Sequence, residues 1–197
     1  MDISKIVPPE PFAALIFDCD GTLADTMPGH FAAWTAALRA GGGDISERQF
    51  YSLAGVTSAE IIARLNREHG YTLDIPQTVE RKEQLYVDAL HSVKEITAVA
   101  DIARAYHGKV PMAVASGGLR DVVQATLDAI KLRPLFDAVI TADDVVHGKP
   151  APDVFLKAAE LLGVSPEGCI VYEDGDPGIA AAHAAGMRVV DVRVLWA

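Results

Sequence analysis

Five short runs along the chain are mostly Val, Ile, Ala and Phe without alternation: Ala13–Phe17, Val110–Ala115, Ala138–Thr141, Cys169–Tyr172 and Arg188–Val192. Runs of this kind suit strands covered on both faces, and hence a parallel sheet. Between the later runs, apolar positions recur at helical spacing. One set is Leu119, Val122, Val123, Thr126, Leu127 and Ile130; another is Phe155, Ala158, Ala159 and Leu162. Strand and helix in alternation predict an α/β core, a doubly wound Rossmann-like parallel sheet.

The first two runs stand about ninety residues apart, far more than a crossover of a dozen or so requires. The intervening stretch reads as helical. Phe31, Trp34 and Leu38 mark one helix, stopped by Gly41-Gly42-Gly43. Thr57 and Glu60 have capping-box spacing ahead of Ile61, Ile62 and Leu65, with Gly70 as the stop. Pro76 opens a third helix with Val79, Leu85, Tyr86, Ala89 and Leu90 on one face. The expected organisation is an α/β core of residues 1–24 and 96–197, with a small helical cap, 25–95, inserted after the first strand.

Composition narrows the partners. The 197 residues include 17 Lys plus Arg against 27 Asp plus Glu, a net charge of −10. With no basic run, this speaks against nucleic acid and against an anionic membrane surface. Cys19 and Cys169 each sit inside an apolar run, as reduced interior thiols do. The N-terminal stretch has no apolar targeting segment and nothing approaches membrane length, so a cytoplasmic, monomeric protein is expected.

In doubly wound folds, ligands bind beyond the carboxyl ends of the strands. There the sequence places Asp18-Cys19-Asp20-Gly21-Thr22, then Ser116-Gly117-Gly118, then Asp143-Asp144 leading to Gly148-Lys149-Pro150, and finally Glu173-Asp174-Gly175-Asp176. Carboxylates ~4 Å apart cost about 4 kcal/mol per pair at an effective dielectric near 20. A cation relieves this, and all-oxygen ligands point to Mg²⁺ completed by a substrate phosphate. Ser116 with the N–H groups of Gly117 and Gly118 offers an anion nest, and Lys149 can neutralise both a carboxylate and a phosphoryl group. Together these describe phosphoryl transfer on a small-molecule phosphate ester. Within the Asp18-Cys19-Asp20 triplet, the first carboxylate can attack phosphorus while the second protonates the leaving alcohol and then activates water.

Phe17 to Thr26 resembles the first signature of the haloacid dehalogenase-like (HAD) hydrolases. Ser116, Lys149-Pro150-Ala151-Pro152-Asp153, and Glu173-Asp174 with Gly178 and Ala181 are similar to the second, third and fourth signatures, in order. The helical insertion resembles the subgroup that includes β-phosphoglucomutase and sugar-phosphate phosphatases such as fructose-1-phosphatase. The resemblance implies a Mg²⁺-dependent phosphatase with Asp18 as nucleophile and Asp20 as acid/base. It implies Mg²⁺ held by Asp18, the Asp20 carbonyl and Asp174, with Glu173 supporting the metal shell. It also implies Ser116 and Lys149 on the phosphoryl group.

Two departures from the family pattern stand out. Gly175 occupies a position where many relatives carry Ser. In the cap loop from Gly55 to Glu60, Ser58 stands where the mutase grips a second phosphate with arginine. A hydroxyl cannot make that bidentate contact, which favours hydrolysis. The alternatives are a hexose-phosphate mutase or a non-enzymatic phospho-acceptor signalling domain.

In the cap, His30 and Lys82 are further candidates for substrate binding. His30 matches a mutase histidine beside the acid/base, or is an ordinary surface or core residue. Lys82 falls mid-face on the third cap helix, where an ammonium must snorkel or meet an anion. Among the rest, Asp176 before Pro177 is expected to cap a helix, Asp25 and Thr26 to brace the hinge, and Asp143 and Asp144 to be solvated loop charges.

Overall fold

The computed structural model describes residues 3–53 and 56–196, so Gly55 of the predicted cap loop lies outside the described residues. All five predicted strands form: β1 (Ala14–Phe17), β2 (Met112–Ala115), β3 (Ala138–Ile140), β4 (Cys169–Glu173) and β5 (Arg188–Asp191). They make one parallel sheet in the order β3-β2-β1-β4-β5. The second run loses Val110 and Pro111 from its start. The Val110 amide still closes the turn on Tyr106, and Pro111 has no N–H for a ladder.

The unbroken apolar runs are two interleaved faces. Leu15 and Phe17 of β1, Met112 and Val114 of β2, and Ile170 and Tyr172 of β4 enter one core cluster. Their neighbours Ala14, Ile16, Ala113, Ala115, Cys169 and Val171 enter a second cluster on the opposite face. Helices α5 (Thr97–Tyr106) and α6 (Arg120–Ala129) cover the first face; α7 (Asp153–Leu162) and α8 (Asp176–Ala184) cover the second. Both cysteines are free and buried.

Strand order runs outward in both directions from β1, which creates a switch point between β1 and β4 at their carboxyl ends. The helical insertion leaves from that point. Ala24 bridges Glu95 in antiparallel fashion, the Asp25 amide donates to the Lys94 carbonyl, and the Ile96 amide donates to the Leu23 carbonyl. Between these paired segments lie α1 (Met27–Ala40), α2 (Glu47–Ser52), α3 (Ser58–His69) and α4 (Ile75–Asp88). Their apolar residues form a cluster of their own that includes Met27, Trp34, Leu38, Phe50, Ile62 and Leu65.

The predicted stops and starts operate. Thr57 accepts from the Glu60 amide, while the Glu60 carboxylate turns to Arg67. Gly70 takes the left-handed conformation at φ 70°, where a Cβ would be strained. The face expected for α4 needs correction: Thr78, Lys82, Glu83 and Tyr86 are buried, and Leu85 is 37% exposed. A helix face normally buries its apolar positions; this one buries a lysine and a glutamate that satisfy each other. Among the described residues no helix is long and apolar enough to cross a membrane.

Candidate active site

The carboxyl ends of β1 and β4 bring three carboxylates together. One oxygen each from Asp18, Glu173 and Asp174 lies within 4.8 Å of the others. Lys149 is buried beneath them, with Nζ donating at 2.7 Å to Asp18 Oδ1 and at 2.7 Å to Glu173 Oε2. Burial alone would lower this lysine's pKa, but the two carboxylates outweigh it and hold the ammonium charged. One cation does not balance three acids. Burial, then the Glu173 charge, raise the Asp18 carboxyl well above its ordinary range against the pull of Lys149. The same two causes push Asp174 up to about 7.

Each member is held by the backbone around it. Glu173 Oε1 accepts the amides of Asp174 (3.1 Å) and Gly175 (2.9 Å). Thr22, reached across 152 residues of sequence, donates to Asp174 Oδ1 at 2.9 Å. Gly21 adopts φ +84° beneath Asp174, and a Cβ there would stand 2.3 Å from Asp174 Oδ2. The hard, oxygen-only donor set, with carboxyl pKa values raised by burial and then by mutual repulsion, fits Mg²⁺.

Asp20 stands apart, two residues past the strand. Its Oδ1 accepts from Thr26 Oγ1 at 2.8 Å and faces His30 Nε2 at 3.0 Å. Burial opposes ionisation, yet His30, Thr26 and Lys82 together bring its carboxyl down to about 2. Burial, and then Lys82, lower the pKa of His30; facing an ionised carboxylate that can only accept, its Nε2 carries the proton and donates to Asp20. Its ring stacks on Tyr86 at 3.7 Å, and Nδ1 is buried without a hydrogen-bond partner. Tyr86 in turn bonds through its hydroxyl to Thr126 of α6 at 2.9 Å, tying α4 to the core.

A cavity of about 70 Å³ separates the helical segment from the sheet edge. Asp18, Asp20, Ser116 and Gly117 line it from the core; His30, Ser58, Lys82 and Glu83 line it from the helices. Asp174 borders a larger cleft near the hinge, about 510 Å³, with Gly21, Asp25 and Glu95. Of the residues singled out in the sequence, Asp18, Asp20, His30, Lys82, Ser116 and Gly117 share the smaller cavity, Lys149 and Glu173 adjoin it behind Asp18, and Asp174 faces the neighbouring cleft.

Four expectations need correction. The predicted amide nest is narrower, because the Gly118 amide donates to Ser116 Oγ at 3.0 Å and α6 begins only at Arg120. That bond leaves the Ser116 hydroxyl proton free to donate into the cavity. Asp176 does not cap α8: Gly175 is the N-cap residue, and the Asp176 carboxylate is drawn to Arg193 at 2.7 Å. Asp143 and Asp144 are more than solvated charges, since Asp143 accepts the Arg120 amide and Asp144 closes a capping box with Thr141 and pairs with Arg120. Thr26, expected at the hinge, spends its hydroxyl on Asp20, while the Asp25 amide makes the hinge contact.

Sequence reasoning missed Glu83. Its carboxylate takes Lys82 Nζ at 3.0 Å on both oxygens and the Ser58 hydroxyl at 2.9 Å. The clue was its position directly after Lys82, since the anion an interior lysine requires was the adjacent residue.

Comparison with known proteins places this geometry. A family model described as haloacid dehalogenase-like hydrolase matches residues 12–186. Fructose-1-phosphate phosphatase YqaB of Escherichia coli is 40% identical over 186 residues, covering 94% of this chain and 99% of that protein. CbbY from Rhodobacter sphaeroides, solved in complex with phosphate, superposes with a TM-score of 0.81 at 28% identity over 91% of this chain and 85% of its own. A β-phosphoglucomutase from Clostridium difficile gives 0.78 at 26% identity, covering 91% and 83%.

Proposed function

This chain belongs to the haloacid dehalogenase-like hydrolases, and from that premise we propose that it is a Mg²⁺-dependent phosphatase acting on a small phosphorylated metabolite, a sugar phosphate. In this reading residues 25–95 form a cap over a core made of the remainder. The observation that carries it is Lys149 bridging Asp18 and Glu173 directly beneath a cavity shared by Asp18, Asp20 and Ser116.

Lys149 fixes Asp18 Oδ1 and stabilises charge at the sheet edge, so the Asp18 carboxylate is aimed at an incoming phosphorus. The Asp18–phosphorus bond forms as the ester P–O bond breaks, leaving an aspartyl-phosphate and an alkoxide. A phosphoryl group entering beside Asp20 opposes its ionisation, because like charges repel. Asp20 then takes a proton from solvent; Thr26 and His30 hold Oδ1, which directs that proton to Oδ2 and from there to the leaving oxygen. Asp20, now ionised, takes a proton from water as that water attacks phosphorus and releases Asp18. Ser116 and the Gly117 backbone orient the phosphoryl oxygens. Asp18, the Asp20 carbonyl and Asp174 would hold Mg²⁺, with Glu173 supporting them. Bound there, the ion would supply positive charge against the phosphoryl oxygens.

Ser58 speaks against the mutase alternative: its hydroxyl is committed to Glu83, and no arginine lines the cavity among the described residues. The test is phosphate release from a panel of sugar phosphates, with and without Mg²⁺. Mg²⁺-dependent release supports the reading; conversion of a hexose 1-phosphate to its 6-phosphate, stimulated by a bisphosphate, replaces it with mutase chemistry.

A further inference from the structure

The cap wall of the cavity carries a buried ion pair whose anionic member, Glu83, has no part in the proposed reaction. Lys82 is the sole cationic side chain among the described residues lining the cavity. An unpaired ammonium there would be a ready site for a second phosphate or a carboxylate on the substrate. It is not unpaired. Lys82 and Glu83 are 4% and 8% exposed, and Nζ meets both Glu83 oxygens at 3.0 Å. Ser58 adds its hydroxyl proton to Glu83 Oε1 at 2.9 Å, so the neighbouring donor is also engaged. The Trp34 and Tyr86 rings lie 5.5 and 5.7 Å from Nζ and further hold the ammonium in place.

We propose that Glu83 is a specificity-determining residue: by neutralising Lys82 it excludes leaving groups with a second anionic group and selects uncharged, hydroxyl-bearing ones. An anion brought to this wall would have to displace a buried carboxylate from its ammonium and would then face that carboxylate at close range. A hydroxyl meets no such conflict. It can donate to a remaining lone pair of Glu83 and accept the third N–H of Lys82, so both members of the pair are used without being separated. This selectivity rests on the phosphatase reading above and names the substrate class within it.

The experiment compares esters that differ in one anionic group: glycerol 3-phosphate against 3-phosphoglycerate, and fructose 1-phosphate against fructose 1,6-bisphosphate. The readout is the ratio of kcat/KM within each pair. The wild-type protein is expected to favour the uncharged member at least tenfold. Glu83→Gln, which frees Lys82, is expected to move the ratio at least tenfold toward the anionic member, chiefly through KM. The Lys82→Gln/Glu83→Gln double variant buries no unpaired charge and is expected to keep the wild-type preference. Equal use of both members by the wild type overturns the proposal, even where Glu83→Gln does not fold. An unmoved ratio in a folded Glu83→Gln protein, or an equal shift in the double variant, also overturns it. Acetyl phosphate, whose leaving group offers nothing to this wall, separates the two readings. Turnover of it with no selectivity rejects the role of Glu83 alone, whereas no hydrolysis of any ester rejects the phosphatase itself.

Discussion

Gly178 lies against the carboxylate of Glu173, so close that a Cβ at position 178 would stand 2.0 Å from Oε2 and 2.1 Å from Cδ. Oε2 is the oxygen that accepts from Lys149. The glycine in the fourth signature is thus a spacing device: α8 can approach β4 only where no side chain intervenes, and that approach leaves Glu173 aimed at Lys149. Gly178→Ala is expected to fold and to lose about 10- to 100-fold in metal affinity or activity, the usual effect of disturbing a ligand's support. Titrating activity against Mg²⁺ concentration measures it; an unchanged midpoint and unchanged maximal rate would reject this role for Gly178.

The acidic cluster makes metal binding visible in stability. Without metal, the Asp174 carboxyl is pushed up to about 7 from an ordinary 3.8, and Asp18 is also raised. The folded state therefore binds more protons than the unfolded chain between those values, so metal-free stability falls as pH rises from about 4 to about 7. Mg²⁺ needs the deprotonated carboxylates and reverses this penalty. Thermal unfolding with Mg²⁺ or EDTA should show a larger Tm gain from Mg²⁺ at pH 8 than at pH 6. A gain independent of pH would contradict it.

Asp20 owes its low pKa to named donors, and removing one should release it. In His30→Ala the Asp20 carboxyl is expected to rise from about 2, because burial then meets less opposition. NMR titration of the aspartate side chains reads this directly, and an unmoved Asp20 would show that His30 does not hold it. Asp20→Asn is expected to cost about 10²- to 10⁴-fold in kcat, the range of general acid–base contributions.

The cavity of about 70 Å³ has room for several waters but not for a hexose, so the helices must separate from the sheet edge to admit one. Gly148, beside Lys149, lies where the helical segment meets the core: a Cβ there would sit 2.6 Å from Thr57 Cγ2. Thr57 cannot readily rotate away, since its hydroxyl caps α3. Gly148→Val is expected to disfavour closure and to lower kcat/KM for a sugar phosphate by about tenfold or more, as misplacement far from the chemistry does. Steady-state kinetics with solution scattering checks both effects; unchanged kinetics would show that closure does not depend on Gly148.

The sheet was legible because both its faces are covered, which makes strands such as Ala14–Phe17 wholly apolar. The site was legible because Asp18, Ser116, Lys149 and Glu173 follow or lie near strand ends whose positions that pattern sets. What stayed hidden depends on distance in sequence or on local exchange. Thr22 meets Asp174 across 152 residues. The short α2 buries Phe50 alone, too little for a period to register. On α4 the polar pair Lys82–Glu83 took the buried face from Leu85, and no hydrophobic periodicity can announce a buried ion pair.

In the proposed reaction Asp18 carries the phosphoryl group during turnover. Rapid quenching of the wild-type protein with Mg²⁺ and a sugar monophosphate that it hydrolyses, followed by peptide mass analysis, tests this most directly. The peptide containing Asp18 should carry one added phosphoryl group, absent without Mg²⁺, and Asp18→Asn should show neither the adduct nor phosphate release. Full turnover by Asp18→Asn, or hydrolysis without any phosphorylated Asp18, would contradict the account.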